Sequence, residues 1–309
     1  MEFNPSYLKL YESGELKDRI ETLYNILESC ELCPRKCGVN RLEGEKGFCK
    51  ADELMVSSYF PHFGEEDPLV GVHGSGTIFL THCNLGCIYC QNYEISHLGV
   101  GEVVSEERVA KMMLELQALG CHNINLVTPT HYAPQLVKAI AIAAEKGLRS
   151  PVVWNCGGYE NVEIIKLLDG IVDIYMPDIK YSSSEVAKKY SFAPDYFERC
   201  KEAVKEMHRQ VGDLKIQNGI AYRGLLIRHL VLPNNLAGSE EILRFIRSLS
   251  KDSYVNIMSQ YRPEGEAFKY EELSRRPTRE EFMKVIELAK KLGLTRGLQE
   301  KHVFWRWLI

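Results

Sequence analysis

From about residue 76 onward, short apolar runs alternate with longer stretches whose apolar residues recur three or four apart. This is the pattern of repeated βα units wound round a parallel sheet. The runs predict strands over 77–81, 123–128, 151–155, 171–176, 224–232 and 254–259. Between the first two, Val109, Met112, Met113, Leu116 and Leu119 share one helical face, with Ser105 placed to cap it and Gly120 to end it. A further helix is marked by a capping box, Thr278 with Glu281, followed by Phe282, Val285, Ile286, Ala289 and Leu292 and stopped by Gly293. Six strands with intervening helices predict an α/β fold, a partial (β/α)6 TIM-like barrel, since 309 residues leave no room for two further units. In such folds chemistry collects at the carboxyl ends of the strands.

Residues 1–75 read differently. They are polar and punctuated by Cys-Pro, Cys-Gly, Glu-Gly and Lys-Gly, with one amphipathic stretch at 16–27. So short a segment has too thin a core to fold unaided and calls for a metal or a neighbour. Two units are therefore expected: a small N-terminal cysteine-rich metal-binding segment at 1–75 and the barrel at 76–309.

Composition narrows the function classes. With 45% hydrophobic and 26% charged residues the chain is neither disordered nor collagenous. A net charge of −4 supplies no basic field, so no nucleic-acid partner is expected. No apolar run approaches the roughly 18 to 20 residues of a bilayer span, and the first residues lack the regions of a signal peptide. A cytoplasmic location without membrane contact is expected. Ten cysteines in that reducing compartment do not read as a disulfide framework. They fall into two groups, Cys30, Cys33, Cys37 and Cys49, then Cys83, Cys87 and Cys90, with Cys121, Cys156 and Cys200 expected as small buried hydrophobes.

The second group, C-x3-C-x2-C, directly follows the first barrel strand. Three thiolates on a four-iron cubane leave one iron free to take the amino and carboxylate groups of a small molecule. A zinc site completed by His82 runs against the extended backbone expected there, which points His82 away from Cys83. The first group, C-x2-C-x3-C-x11-C, supplies four thiolates, enough for either a tetrahedral zinc or a complete iron–sulfur cluster. Either metal leaves no open position, so a structural or electron-relay role is expected.

The loop Thr81-His82-Cys83-Asn84-Leu85-Gly86-Cys87-Ile88-Tyr89-Cys90-Gln91-Asn92 resembles the signature of the radical S-adenosylmethionine (SAM) superfamily, including the aromatic residue before the last cysteine. Tyr175-Met176-Pro177-Asp178-Ile179-Lys180 is similar to the Asp-x-Lys element of activating enzymes for glycyl-radical enzymes. Ile227-Arg228-His229-Leu230-Val231-Leu232-Pro233 resembles their next strand and turn, so the likeness covers 76 to about 265. Cys33-Pro34-Arg35-Lys36-Cys37-Gly38-Val39-Asn40-Arg41, with Gly44, Gly47 and Cys49, is most similar to the PflX-type proteins related to pyruvate formate-lyase activating enzyme. The resemblance implies a [4Fe-4S] cluster on Cys83, Cys87 and Cys90 and reductive cleavage of S-adenosylmethionine to a 5′-deoxyadenosyl radical that abstracts hydrogen. The substrate is then a protein glycine or, in a second version, a small molecule or peptide. An electron donor such as a flavodoxin or ferredoxin is implied as partner. The reading from another class is a noncatalytic metal-binding adaptor.

Candidate S-adenosylmethionine contacts follow at the strand ends. Tyr89 is implied at the adenine and Asn92 at the loop's orientation. The family's glycine-rich element after the second strand is replaced by Thr128-Pro129-Thr130-His131, where the Thr128 and Thr130 oxygens can accept from an ammonium. His131 is a candidate proton donor or a structural residue. Asn155 can donate to a carboxylate or ribose. Asp178 and Lys180 suit a zwitterion or form a plain ion pair, and Arg228 can hold a carboxylate with both prongs. Gln260 lies where the family has a ribose-contacting turn. The aromatic tail Phe304-Trp305-Arg306-Trp307-Leu308 is read as packing over a sheet edge or docking a partner.

Overall fold

The computed structural model describes residues 3–298, so the aromatic tail at 304–308 lies outside the described residues. These residues form nine strands: β1 (Met55–His62), β2 (Ser75–Leu80), β3 (Glu102–Val103), β4 (Ile124–Val127), β5 (Val152–Cys156), β6 (Ile174–Pro177), β7 (Lys215–Gln217), β8 (Ile220–Leu230) and β9 (Tyr254–Met258). β2, β4, β5, β6, β8 and β9 lie side by side in that order and all parallel. They are the six strands that the apolar runs predict, and the partial barrel is the observed fold. Strands β5 and β6 are buried at every position, as a sheet covered on both faces requires.

Three strands were not predicted. β1 runs antiparallel to β2 and carries β3 on its outer edge, while β7 folds back antiparallel on β8. In Met-Val-Ser-Ser-Tyr-Phe-Pro-His only Val56 is buried, so no alternation shows, and Pro61 ordinarily argues against a central strand. The three residues of β7 are all exposed.

The predicted helix ends hold. The Ser105 hydroxyl accepts from the Arg108 amide at 3.2 Å ahead of the helix Glu106–Ala118, which buries Val109, Met112, Met113 and Leu116. Thr278 and Glu281 form the full capping box ahead of Arg279–Lys291. Each such cap satisfies amides that the helix itself leaves unpaired, typically for about 1 kcal/mol.

Although the texture of the sequence changes at residue 76, the apolar core is continuous through it. Tyr7, Leu16 and Leu23, from the helices Ser6–Ser13 and Glu15–Asn25, belong to the same buried cluster as Leu126, Ile140 and Trp154. One carboxylate staples the two parts. Asp173 Oδ1 accepts from the Ser6 amide at 2.9 Å, capping a helix 167 residues earlier, and its Oδ2 accepts from the Val152 amide of β5 at 3.1 Å. Among the described residues no helix is long and apolar enough to cross a membrane.

Asp173→Ala leaves two backbone donors without partners, one of them buried, so a loss of about 2–4 kcal/mol is expected. A lowered urea midpoint at unchanged slope checks it; an unchanged midpoint shows that the staple holds nothing.

Candidate active site

The carboxyl ends of the parallel strands surround two adjoining chambers. The smaller, about 240 Å3, is lined by Cys83, Cys87 and Cys90; the wider, about 590 Å3, is lined by Glu65, Glu66 and Asn256. Asn92, Asn155, Arg228 and Gln260 line both.

The loop after β2 brings the three thiols to one wall. Its turn depends on Gly86, at φ +70°, where a Cβ would stand 3.0 Å from the Phe48 ring. Each sulfur receives one donor: the Leu85 amide on Cys83 Sγ (3.3 Å), the Ser191 hydroxyl on Cys87 Sγ (3.1 Å) and the Ser96 hydroxyl on Cys90 Sγ (3.2 Å). Burial pushes the Cys83 thiol up to about 12 and raises Cys87 too, which the Lys180 charge eases. Thiols gathered on one wall and each supplied with a donor fit ligands of a metal cluster, whose charge would hold them ionised. His82 corrects one expectation. Its backbone is not extended but left-handed (φ +64°), and it lines the same chamber as the cysteines. Among the described residues, no three His, Cys, Asp or Glu side chains form a single-ion site.

The thiol chamber also carries a network of half-buried charges. Lys180 Nζ donates to Asp178 Oδ2 at 2.6 Å. Arg228 donates through Nε to Asp178 Oδ1 (2.8 Å), through Nη2 to Asn155 Oδ1 (2.8 Å) and through Nη1 to Glu65 Oε1 (3.3 Å). Burial favours the neutral forms of Arg228 and Lys180, but the carboxylates beside them outweigh it and hold both cations firmly charged. For Asp178, likewise, burial is outweighed by Arg228 and then Lys180, and its carboxyl is held below the ordinary range. The Arg228 fork, read as free to grip a carboxylate, is thus already engaged at all three nitrogens.

Of the ten predicted S-adenosylmethionine contacts, Tyr89, Asn92, Thr128, Asn155, Asp178, Lys180, Arg228 and Gln260 line the thiol chamber. The Tyr89 ring is packed edge-on between Tyr181 and Tyr261. Thr128 holds the left-handed backbone (φ +61°) that favours glycine, where the family pattern has glycines. Thr130 and His131 lie elsewhere, because a short helical turn, Thr130–Tyr132, swings the chain away from the chamber. Thr130 Oγ1 donates to the buried Glu160 at 2.6 Å. His131 Nε2 donates to the Thr81 carbonyl at 2.9 Å, and burial lowers its pKa to about 3, so it is no proton donor to a substrate. Cys121, Cys156 and Cys200 are buried as expected, with Cys156 also on the chamber wall.

Sequence reasoning missed Glu65 and Glu66. Glu65 Oε2 accepts from Asn125 Nδ2 at 2.6 Å, and Glu66 Oε1 from Asn256 Nδ2 at 3.0 Å. The run Gly-Glu-Glu-Asp-Pro reads as a solvated turn, and no sequence signal marked it, because the strand that it follows was itself unpredicted.

The first four cysteines face one pocket, without three of them standing at single-ion distance. Cys30, Cys33, Cys37 and Cys49 line one small pocket with Arg41 and His131. Arg41 is 4% exposed, donates through Nη1 to the His131 carbonyl, and leaves Nε and Nη2 without partners. A buried guanidinium with open donors beside four thiols fits an anionic metal–thiolate centre. The same motif grips the three-cysteine loop: Arg35 donates to the carbonyls of Asn84 (3.1 Å), Leu85 (3.0 Å), Ser191 (2.8 Å) and Phe192.

Comparison with known proteins agrees with this geometry. A family model described as the radical SAM superfamily matches residues 77–225. An uncharacterised protein of Methanocaldococcus jannaschii, MJ0674, is 35% identical over 301 residues, covering 94% of this chain and 83% of that one. A second from the same organism, MJ0808, is 24% identical over 295 residues, covering 89% and 80%. Among solved structures, a radical SAM methyltransferase from Sphaerobacter thermophilus superposes with a TM-score of 0.51 at 14% identity, over 72% of this chain and 65% of that one. HydG, a maturase of the [FeFe]-hydrogenase, gives a TM-score of 0.51 at 12% identity, over 70% of this chain and 48% of its own. At such identities these two show the fold alone. With the family match running from β2 through the three-cysteine loop into β8, over strands whose ends wall the chamber, the chain belongs to the radical SAM superfamily.

Proposed function

We propose that this chain cleaves S-adenosylmethionine reductively at a [4Fe-4S] cluster held by Cys83, Cys87 and Cys90, and takes a hydrogen atom from a substrate seated in the wider chamber. The observation that carries the reading is the juxtaposition of three thiols, Cys87 buried and Cys83 and Cys90 half-buried, each with a donor on its sulfur, with a chamber that adjoins a second, larger one. When bound, the cluster supplies the electron that splits S-adenosylmethionine to methionine and a 5′-deoxyadenosyl radical. The protein's part is to bind, orient and shield. Asp178 and Lys180 offer opposite charges on one wall, suited to the ammonium and carboxylate of the methionine moiety. Arg228, on the same lining, holds Asp178 in place.

The four-cysteine site is proposed to hold zinc or an iron–sulfur cluster with a positioning role, because the segment it would order carries Arg35, which clamps the catalytic loop. A PflX-type role is proposed from the resemblance of residues 33–41 alone. The wide polar chamber supports a small molecule or an enclosed side chain over an exposed protein glycine as substrate. A flavodoxin or ferredoxin is proposed as the external electron donor.

In anaerobically reconstituted protein, Cys87→Ala is expected to lose cluster iron and sulfide and to bring dithionite-driven 5′-deoxyadenosine formation to background, with the fold intact by circular dichroism. Unchanged 5′-deoxyadenosine would refute the assignment, and a wild type that makes none would return the chain to the adaptor reading.

Cys37→Ser and Arg35→Ala test the clamp. The first is expected to expose residues 30–49 to protease, and the second to speed iron loss from the three-cysteine site while iron or zinc at the first site stays. Unaltered proteolysis and unaltered iron retention together rule the positioning role out.

A further inference from the structure

The wider chamber has a charge pattern that the cluster chemistry does not use. Glu65, Glu66 and Asp67 line it, and Arg228 is the one Lys or Arg among its lining residues. Arg228 is already matched by Asp178 at 2.8 Å. Glu66 is 5% exposed; its Oε1 takes the Asn256 amide, but its Oε2 accepts no hydrogen bond, and Arg228 Nη1 stands 3.9 Å away. A buried carboxylate oxygen without a donor costs free energy that an incoming cationic donor recovers.

We propose that the wider chamber is the substrate site and that Glu66, with Glu65 beside it, recognises a primary ammonium group, either of a free alkylamine or of a lysine side chain in a peptide. This rests on the radical SAM reading, which requires a substrate next to the thiol chamber. An anion is disfavoured by the paired acids. A divalent metal is disfavoured because the acids on this lining do not converge as a three-ligand group among the described residues, and a guanidinium stands 3.3 Å from Glu65. Phe79 and Phe282 on the same lining offer apolar surface for the hydrocarbon stem that an alkylammonium carries. Burial, reinforced by the Glu66 charge, lifts Glu65 to about 8, so an arriving cation also draws a proton off this pair.

The test is equilibrium binding to the reconstituted protein in saturating S-adenosylmethionine. The probes are cadaverine and the peptide Gly-Lys-Gly as the two cation sources, 1,5-pentanediol and Gly-Norleucine-Gly as their neutral counterparts, and glutarate and Mg2+ as controls. At least one cation is expected to bind about tenfold or more tightly than its neutral counterpart, and the stronger of the two identifies the source. Glu66→Gln, which keeps the oxygen that accepts from Asn256, is expected to erase that preference, and Glu65→Gln to weaken it. Several results overturn the proposal: equal binding of cation and neutral probe, preference for glutarate or Mg2+, a preference that survives Glu66→Gln in a folded variant, or a cation site that S-adenosylmethionine displaces. If Glu66→Gln fails to fold, the Glu65→Gln variant and the probe ranking on the wild type decide. Iron content and 5′-deoxyadenosine formation, measured separately, report the radical reading, so either can fail without the other.

Discussion

The site is organised around one half-buried cation, Arg228. Arg228, on β8, is held charged by Asp178 beyond β6 and then by Glu66 beyond β1, and it donates to Asp178, to Glu65 and to Asn155 on β5. Drawing a guanidinium largely out of water is tolerable only where acids and acceptors surround it. The requirement ties four chain segments to one point. It fixes where Asp178 faces the thiols, and it draws the loop after the antiparallel strand β1 across the mouth of the barrel, which is how Glu65 and Glu66 enter the site.

The six parallel strands were legible because strands buried on both faces leave continuous apolar runs, and the two capped helices because their caps and periodicity coincide. β1 was hidden because it is an edge-side strand with one buried residue, and everything it carries was hidden with it. The thiol loop was legible from spacing alone. Asn155, Asp178, Lys180 and Arg228 were legible as strand-end residues, but not their mutual engagement: a sequence shows that an arginine has five donors, not that its neighbours have taken them. Thr130 and His131 were misplaced because a tight helical turn after Pro129 cannot be told from an extended continuation by composition.

His131 instead joins the two cysteine sites. It borders the four-thiol pocket, takes the Arg41 guanidinium on its carbonyl, and donates from its ring to Thr81, two residues before Cys83. Arg35 makes the second junction, between the first and second cysteine loops. Two short polar bridges thus link the loops directly, so the ordering of one constrains the other. The described residues ahead of β2 thus share the barrel's apolar core and hold its three-cysteine loop, whatever their sequence texture.

Thr128 shows the same economy in the backbone. A β-branched residue at φ +61° is strained by about 1–2 kcal/mol where a glycine would not be, yet its amide donates to the Asn155 carbonyl at 2.8 Å. Through that bond the turn after β4 is pinned to the same residue that Arg228 holds. The strain is therefore supported by the arginine network, and the charge cluster and the irregular turn are parts of a single construction around the chamber.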